Sequence, residues 1–178
     1  RGLPRPRTRY RVAVDGAVRD EFGGQLGRER SVSFEIGDYG PVLVGPQTDH
    51  LVLDPASEPA VTVYSAAVPE LRVQLRAVKP ADWARYNEHR WEANKLPGRV
   101  VLDRVERPAS PDGALVATRI PLGPALRNGT GQVIVTATSS NDNVYPRVVT
   151  WVQVTRIGVD ASWDGRRVLV RTTSLADG

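Results

Sequence analysis

Alternation of apolar and polar residues is the feature that most narrows what this chain can become. In "RYRVAV" it puts Tyr10, Val12 and Val14 on one face, and in "VSFEI" it does the same for Val32, Phe34 and Ile36. A period of two marks an extended strand with one face meant for burial. Between these segments, Gly23-Gly24 in "RDEFGGQLG" supplies the positive φ of a turn, so residues 8–37 read as a hairpin ending at Gly37-Asp38.

A new pattern starts at "GPVLVGPQTDHLVLDP", punctuated by Gly40-Pro41 and Gly45-Pro46. Seven strand-like segments follow: "HLVLD", "AVTVYSA", "ELRVQLRAV", "GRVVLDRVE", "GALVATRIPL", "GQVIVTATS" and "RVVTWVQVT". Turn signals separate them, and short strands at this spacing predict an antiparallel β-sandwich. One stretch breaks the pattern. "KPADWARYNEHRWEANKLPG" has Pro80 suited to a first helical turn and Leu96-Pro97-Gly98 as a stop, which predicts a short helix. Trp83, Tyr86 and Trp91 share one broad side of it, and core packing is the simplest use for them. "SSNDNVYP", Ser139 to Pro146, reads as an exposed turn. The last stretch, "WVQVTRIGVDASWDGRRVLVRTTSLADG", reads as a long strand, a tight turn at Trp163-Asp164-Gly165 and a second strand.

Composition excludes several chemistries. With no Cys among 178 residues there is no disulfide framework, thiolate metal site, cysteine nucleophile or thioester. No apolar run approaches the ~18 residues that span a bilayer. The basic residues are nearly all Arg, and Arg1, Arg5, Arg7, Arg9 and Arg11 crowd the start of a chain with net charge +4. Such an arm could touch phosphates. A solvated entry strand is the simpler reading, because no aromatic platform or positive stripe follows.

The candidate reactive groups are few. His50 and His89 do not have metal-ligand spacing. His89 beside Glu88 has the makings of a general base with a neighbour, and Asp82, Glu88 and Glu92 offer carboxylates on one helix. A solvated helix face explains all of them, since no opposing acid is evident. Asn128-Gly129-Thr130 in "RNGTGQ" fits a glycosylation acceptor, but Asn-Gly is foremost a hairpin turn. "GTG" leads into a strand and not a helix, so it is no phosphate loop. No catalytic, cofactor-binding or metal residue is assigned, and no cofactor is expected.

Read in order, these landmarks resemble the N-terminal part of the bacterial α2-macroglobulin family. The resemblance rests on "YRVAVDGAVRDEFGGQLGRERSVSFEIGD", "GPQTDHLVLDPASEPAVTVYSA", "LRVQLRAVKPADWARYNEHRWEAN", "ATRIPLGPAL", "GTGQVIVTAT" and the seam "VQVTRIGV". It implies an all-β chain of macroglobulin-like, immunoglobulin-like sandwich type with one short helix. It implies three parts: 1–38 as the last strands of a preceding domain, 39–155 as a complete sandwich, and 156–178 as the first strands of the next. It further implies a cut piece of a secreted or periplasmic protease trap, anchored as a lipoprotein or free, in which this segment is a non-catalytic scaffold and spacer. The implied partners are neighbouring macroglobulin domains and, through the parent, target proteases; strand-edge pairing with another copy is open, and no nucleic acid is expected. The family's thioester Cys and its bait region have no counterpart here.

Two other classes make different forecasts. A carbohydrate-binding or adhesion sandwich would stack Trp83, Trp91, Trp151 or Trp163 on sugar and needs an exposed aromatic row. A nucleic-acid binder would use the Arg-rich start. The scaffold reading expects most of the tryptophans to be buried.

Overall fold

The computed structural model describes residues 4–38, 40–109, 113–139 and 147–175. The chain enters as a hairpin of β1 (Thr8–Val14) and β2 (Arg30–Ile36). The two strands pair antiparallel, with Tyr10 opposite Phe34 and Val12 opposite Val32. In the connection, Asp20 Oδ1 accepts from the backbone N–H groups of Phe22 (3.0 Å) and Gly24 (2.7 Å). Gly23 sits at φ +85°, the left-handed conformation that turn needs.

Two sheets follow and face each other. One has five strands in the order β4 (His50–Leu53), β10 (Val148–Val154), β9 (Gly131–Ser139), β6 (Leu71–Val78) and β7 (Arg99–Glu106). The other has three: β3 (Val42–Val44), β5 (Ala60–Ala66) and β8 (Val116–Pro121). All seven segments expected as strands are strands. β3 is an additional one, too short for alternation to separate it from β4. Pairing is antiparallel except at one edge, where β4 runs parallel to β10 with His50 beside Trp151. The expected antiparallel sandwich is otherwise as read from the sequence, with this one parallel edge pair. These partners lie about a hundred residues apart in sequence, as Thr48 and Thr150 show, so no tight turn dictates their direction.

The core between the sheets follows from the alternation. Leu71, Val73 and Leu75 of β6 and Val133, Val135 and Ala137 of β9 face Val61 and Val63 of β5 and Ile120 of β8. The outer side of the five-stranded sheet has its own smaller core, in which Ile134, Val149 and Trp151 are covered by Tyr86 and Leu96. Strands β9 and β10 are therefore buried on both faces, which is why "QVIVTA" and "VVTWV" read almost continuously apolar.

The cover of this second core is the helical stretch. Pro80–Asp82 makes one 3₁₀ turn and α1 (Trp83–His89) continues it. The Asp82 carboxylate accepts from the Lys79 backbone N–H at 2.9 Å and fixes the entry. The helix stops at His89, before the expected Leu96-Pro97-Gly98. Two further turns, closed by Glu92 N–H on His89 O (2.8 Å) and Lys95 N–H on Glu92 O (2.9 Å), carry the chain back so that Leu96 reaches the sheet. Last comes a hairpin of β11 (Ile157–Trp163) and β12 (Val168–Ser174). Its turn is pinned by Asp164 Oδ1, which accepts from Arg166 N–H (2.8 Å) and Arg167 N–H (2.7 Å). Those two bonds hold the Asp164 carboxyl below its ordinary value.

Candidate functional site

The histidines and helix carboxylates do not converge on a reaction centre. His89 Nδ1 lies 3.1 Å from Glu92 Oε1, and His89 Nε2 lies 3.6 Å from Glu88 Oε2. Lys95 Nζ closes on Glu92 at 2.6 Å, and Lys95 with His89 lowers the Glu92 carboxyl from its ordinary value. This is a surface charge network across the end of α1 and the turns after it, so Glu92, contrary to expectation, does not share the helix with Asp82 and Glu88. Asp82 is occupied in capping. His50 lies on the outer face of the sheet with its ring 5.5 Å from that of Trp83. Among the described residues no cluster of three or more His, Asp or Glu could hold a metal ion.

Asn128 and Gly129 take φ +51° and +78°, and Arg127 and Thr130 exchange both backbone hydrogen bonds across them at 2.9 and 3.0 Å. The two positive φ values are those of a type I′ turn, which accounts for both residue types. Three of the arginines near the start are paired locally. Arg7 meets Asp38 at 2.6 Å, Arg11 meets Glu29 at 3.0 Å and Arg9 meets Glu35 at 3.9 Å. These pairs cross the hairpin and do not form a phosphate-ready stripe. Arg1 and most of the Ser139–Pro146 loop lie outside the described residues.

The tryptophans depart from expectation. Trp151 is buried at 2% exposure, but Trp83 is 38%, Trp91 60% and Trp163 73% exposed. Trp91 falls beyond the end of α1, so the broad helix side that was expected to hold it does not exist. Its ring carries the Arg90 guanidinium at 5.2 Å instead. No ring contact links Trp91 or Trp163 to another aromatic among the described residues, so no exposed aromatic row forms. Trp83 does belong to a cluster. It meets Trp151 edge-on at 5.3 Å and 89°, and lies 5.5 Å from Tyr86. Tyr86 is fully buried and its hydroxyl donates to Asp49 O at 3.2 Å. Burial, with the Asp49 charge second, pushes the phenol up to about 12.

The most unusual surfaces belong to the two hairpins. Each has one polar and one apolar face, and neither apolar face is covered. On the first, Val12, Val14, Val32 and Phe34 are exposed. On the last, the pairs Val159↔Thr172, Ala161↔Val170 and Trp163↔Val168 line one face, and its large apolar members are all more than half exposed. A soluble surface seldom leaves contiguous apolar area of this kind without a partner.

Two adjoining cavities sit where β6 ends and β9 begins. The larger, about 550 Å³, is ringed by Lys79, Arg99 and Arg127 over apolar walls such as Val101 and Leu126. The smaller, about 260 Å³, lies on the outer sheet face between His50, Trp83, Gln153 and Gln132. Gln132 lines both. Neither cavity was foreseen from the sequence. The residues come from five strands, from α1 and from the turns between them, and only the fold brings them together.

Comparisons with known proteins fit this architecture. No family model matches the chain. In sequence it is 22% identical over 185 residues to an alpha-2-macroglobulin homolog from Nostoc sp., an alignment covering 97% of this chain and 9% of the relative. In structure it matches native alpha-2-macroglobulin from Escherichia coli spanning domains MG0-NIE-MG1, with a TM-score of 0.61 at 17% identity over 97% of this chain and 58% of that one. A second E. coli structure, spanning NIE-MG1, matches with a TM-score of 0.61 at 18% identity over 79% of this chain and 73% of that one. A Salmonella alpha-2-macroglobulin matches with a TM-score of 0.51 at 21% identity, covering 97% of this chain and 10% of the other.

Proposed function

From this resemblance to bacterial alpha-2-macroglobulin, which runs in sequence and in fold over nearly the whole chain, we propose that the protein is a non-catalytic scaffold and inter-domain spacer of a larger protease trap. In this reading 1–38 completes a preceding domain, 39–155 is one whole sandwich, and 156–178 starts the next. The parent acts in the periplasm, as a lipoprotein, or outside the cell.

The observation that supports this most directly is the pair of uncovered apolar hairpin faces at either side of a sandwich with a filled core. A two-stranded hairpin is marginal in water, and one with an apolar face gains its stability by packing on further strands. Neighbouring macroglobulin domains supply such strands. Contacts between domains of one chain typically cover ~600–1,500 Å² and leave room for relative movement.

The test places Val159→Arg with Val170→Arg in the parent protein and measures protease trapping and thermal unfolding. The spacer reading expects the neighbouring domain to unfold earlier and trapping to fall. An unchanged melting profile would sink it. Alanine at His50, His89 and Glu88 is expected to leave trapping intact, whereas loss of a catalytic rate at any of them, with folding preserved, would show an enzyme.

A further inference from the structure

We propose that the two adjoining cavities at the β6–β9 end of the sandwich form one binding site for an acidic oligosaccharide. The larger cavity supplies charge. Lys79, Arg99 and Arg127 surround it, and none makes an ion pair among the described residues. Its single carboxylate, Asp82, is engaged by the Lys79 backbone N–H. Three cations against one carboxylate leave this concave space net positive, which raises the local potential and draws an anion in.

The smaller cavity supplies sugar chemistry. Gln132 and Gln153 are direct neighbours across β9 and β10. Both are half-buried, and neither side-chain amide finds a hydrogen-bond partner among the described residues. Each primary amide offers two donors and an acceptor in one plane, which suits adjacent hydroxyls on a pyranose ring. Trp83 beside them gives an apolar wall for the ring's C–H face. A few placed polar groups with an aromatic wall are the usual composition of a small-ligand site.

Gln132 joins the two halves, so one sugar ring fits against Trp83 while the carboxylate of the next reaches the cations. The paired amides and the indole wall match the hydroxyl edge and the C–H face of a pyranose ring, which is why the observations favour a saccharide over an acidic peptide. This inference does not depend on the protease-trap reading.

The probes are a galacturonic acid tetrasaccharide, a galactose tetrasaccharide and a tetra-glutamate peptide. Each is titrated against the chain by calorimetry and tryptophan fluorescence. The acidic sugar is expected to bind and to change the emission, and Trp83→Phe is expected to remove that change. Binding should weaken as salt is raised through the range where the Debye length falls below roughly 10 Å. Arg99→Gln and Arg127→Gln should each weaken it roughly two- to fivefold, and Gln132→Ala or Gln153→Ala roughly fivefold. Arg99 and Arg127 are exposed and the two glutamines half-buried, and far-UV circular dichroism checks that each variant folds. Equal binding of tetra-glutamate, equal binding of the neutral sugar, indifference to the glutamine variants, or no binding of the acidic sugar would each overturn the proposal.

Discussion

Tyr10 and Phe34 stack across the first hairpin with ring centroids 5.9 Å apart and planes 23° from parallel, yet Phe34 remains 44% exposed. A stacked pair that strong in apolar area, left in water on one side, stabilises its own hairpin and little else. Phe34→Ala and Trp163→Ala should therefore shift the urea stability of the sandwich by less than ~0.5 kcal/mol in this chain. In the parent, where neighbouring domains are proposed to cover both positions, the same changes should cost ~3–5 kcal/mol. Equal, small effects in both settings would show that nothing packs there.

The second core should behave in the opposite way. Trp151→Ala removes the largest fully buried side chain, under Tyr86 and Trp83, and should cost ~3–5 kcal/mol in denaturant titration of this chain. Tyr86→Phe keeps the ring and loses only the bond to Asp49 O, for about 1 kcal/mol.

Tyr86 also predicts alkaline sensitivity. Its phenol titrates at 10.0 when unfolded and at about 12 when folded, raised mainly by burial. The raised group contributes stability that is complete below pH 10.0 and is lost as pH climbs toward about 12. Wild type should lose stability over this window more steeply than Tyr86→Phe, and parallel pH curves would contradict the assignment.

Asp103 makes the acid counterpart. Hydrogen bonds from Arg72 (2.6 Å) and then Gln74 (2.7 Å) hold its carboxyl down at about 2, from an ordinary 3.8. A lowered carboxylate stabilises the fold above its unfolded value, and that contribution fades as pH falls from 3.8 toward about 2. Because both partners reach solvent, the size is about 1 kcal/mol or less. Asp103→Asn should be less stable than wild type at neutral pH, and the gap should shrink below pH 3.8.

Gly98 carries a steric prediction. It sits at φ +85° where the chain re-enters β7, and an added Cβ would meet Val78 and lie 2.6 Å from Ala77 O. Gly98→Ala combines left-handed strain of ~1–2 kcal/mol with that overlap, so a loss of at least ~2 kcal/mol is expected in thermal unfolding. It would also disturb the Arg99 side of the larger cavity.

Much of the local structure was legible in the residues themselves. Alternation located both hairpins and seven sandwich strands because a strand's two faces differ in environment, and that difference is written at a period of two. Asn128-Gly129 named its own turn, since few other pairs tolerate two positive φ values. Where the helix ended was less legible. "NEHRWEAN" carries no strong breaker, and the chain turns back after His89 because Leu96 has a sheet to cover.

The sequence by itself determined which segments extend, where they turn and which of their faces are apolar, because those are short-range consequences of side-chain size, polarity and backbone freedom. Only the tertiary structure decided that β4 lies parallel to β10, that Trp151 is buried while Trp91 stands in water, and that Lys79, Arg99, Arg127 and two unpartnered glutamines meet at one end of the sandwich. Each of these depends on contacts between residues far apart in the chain, and no local pattern encodes which distant surface a given face will meet.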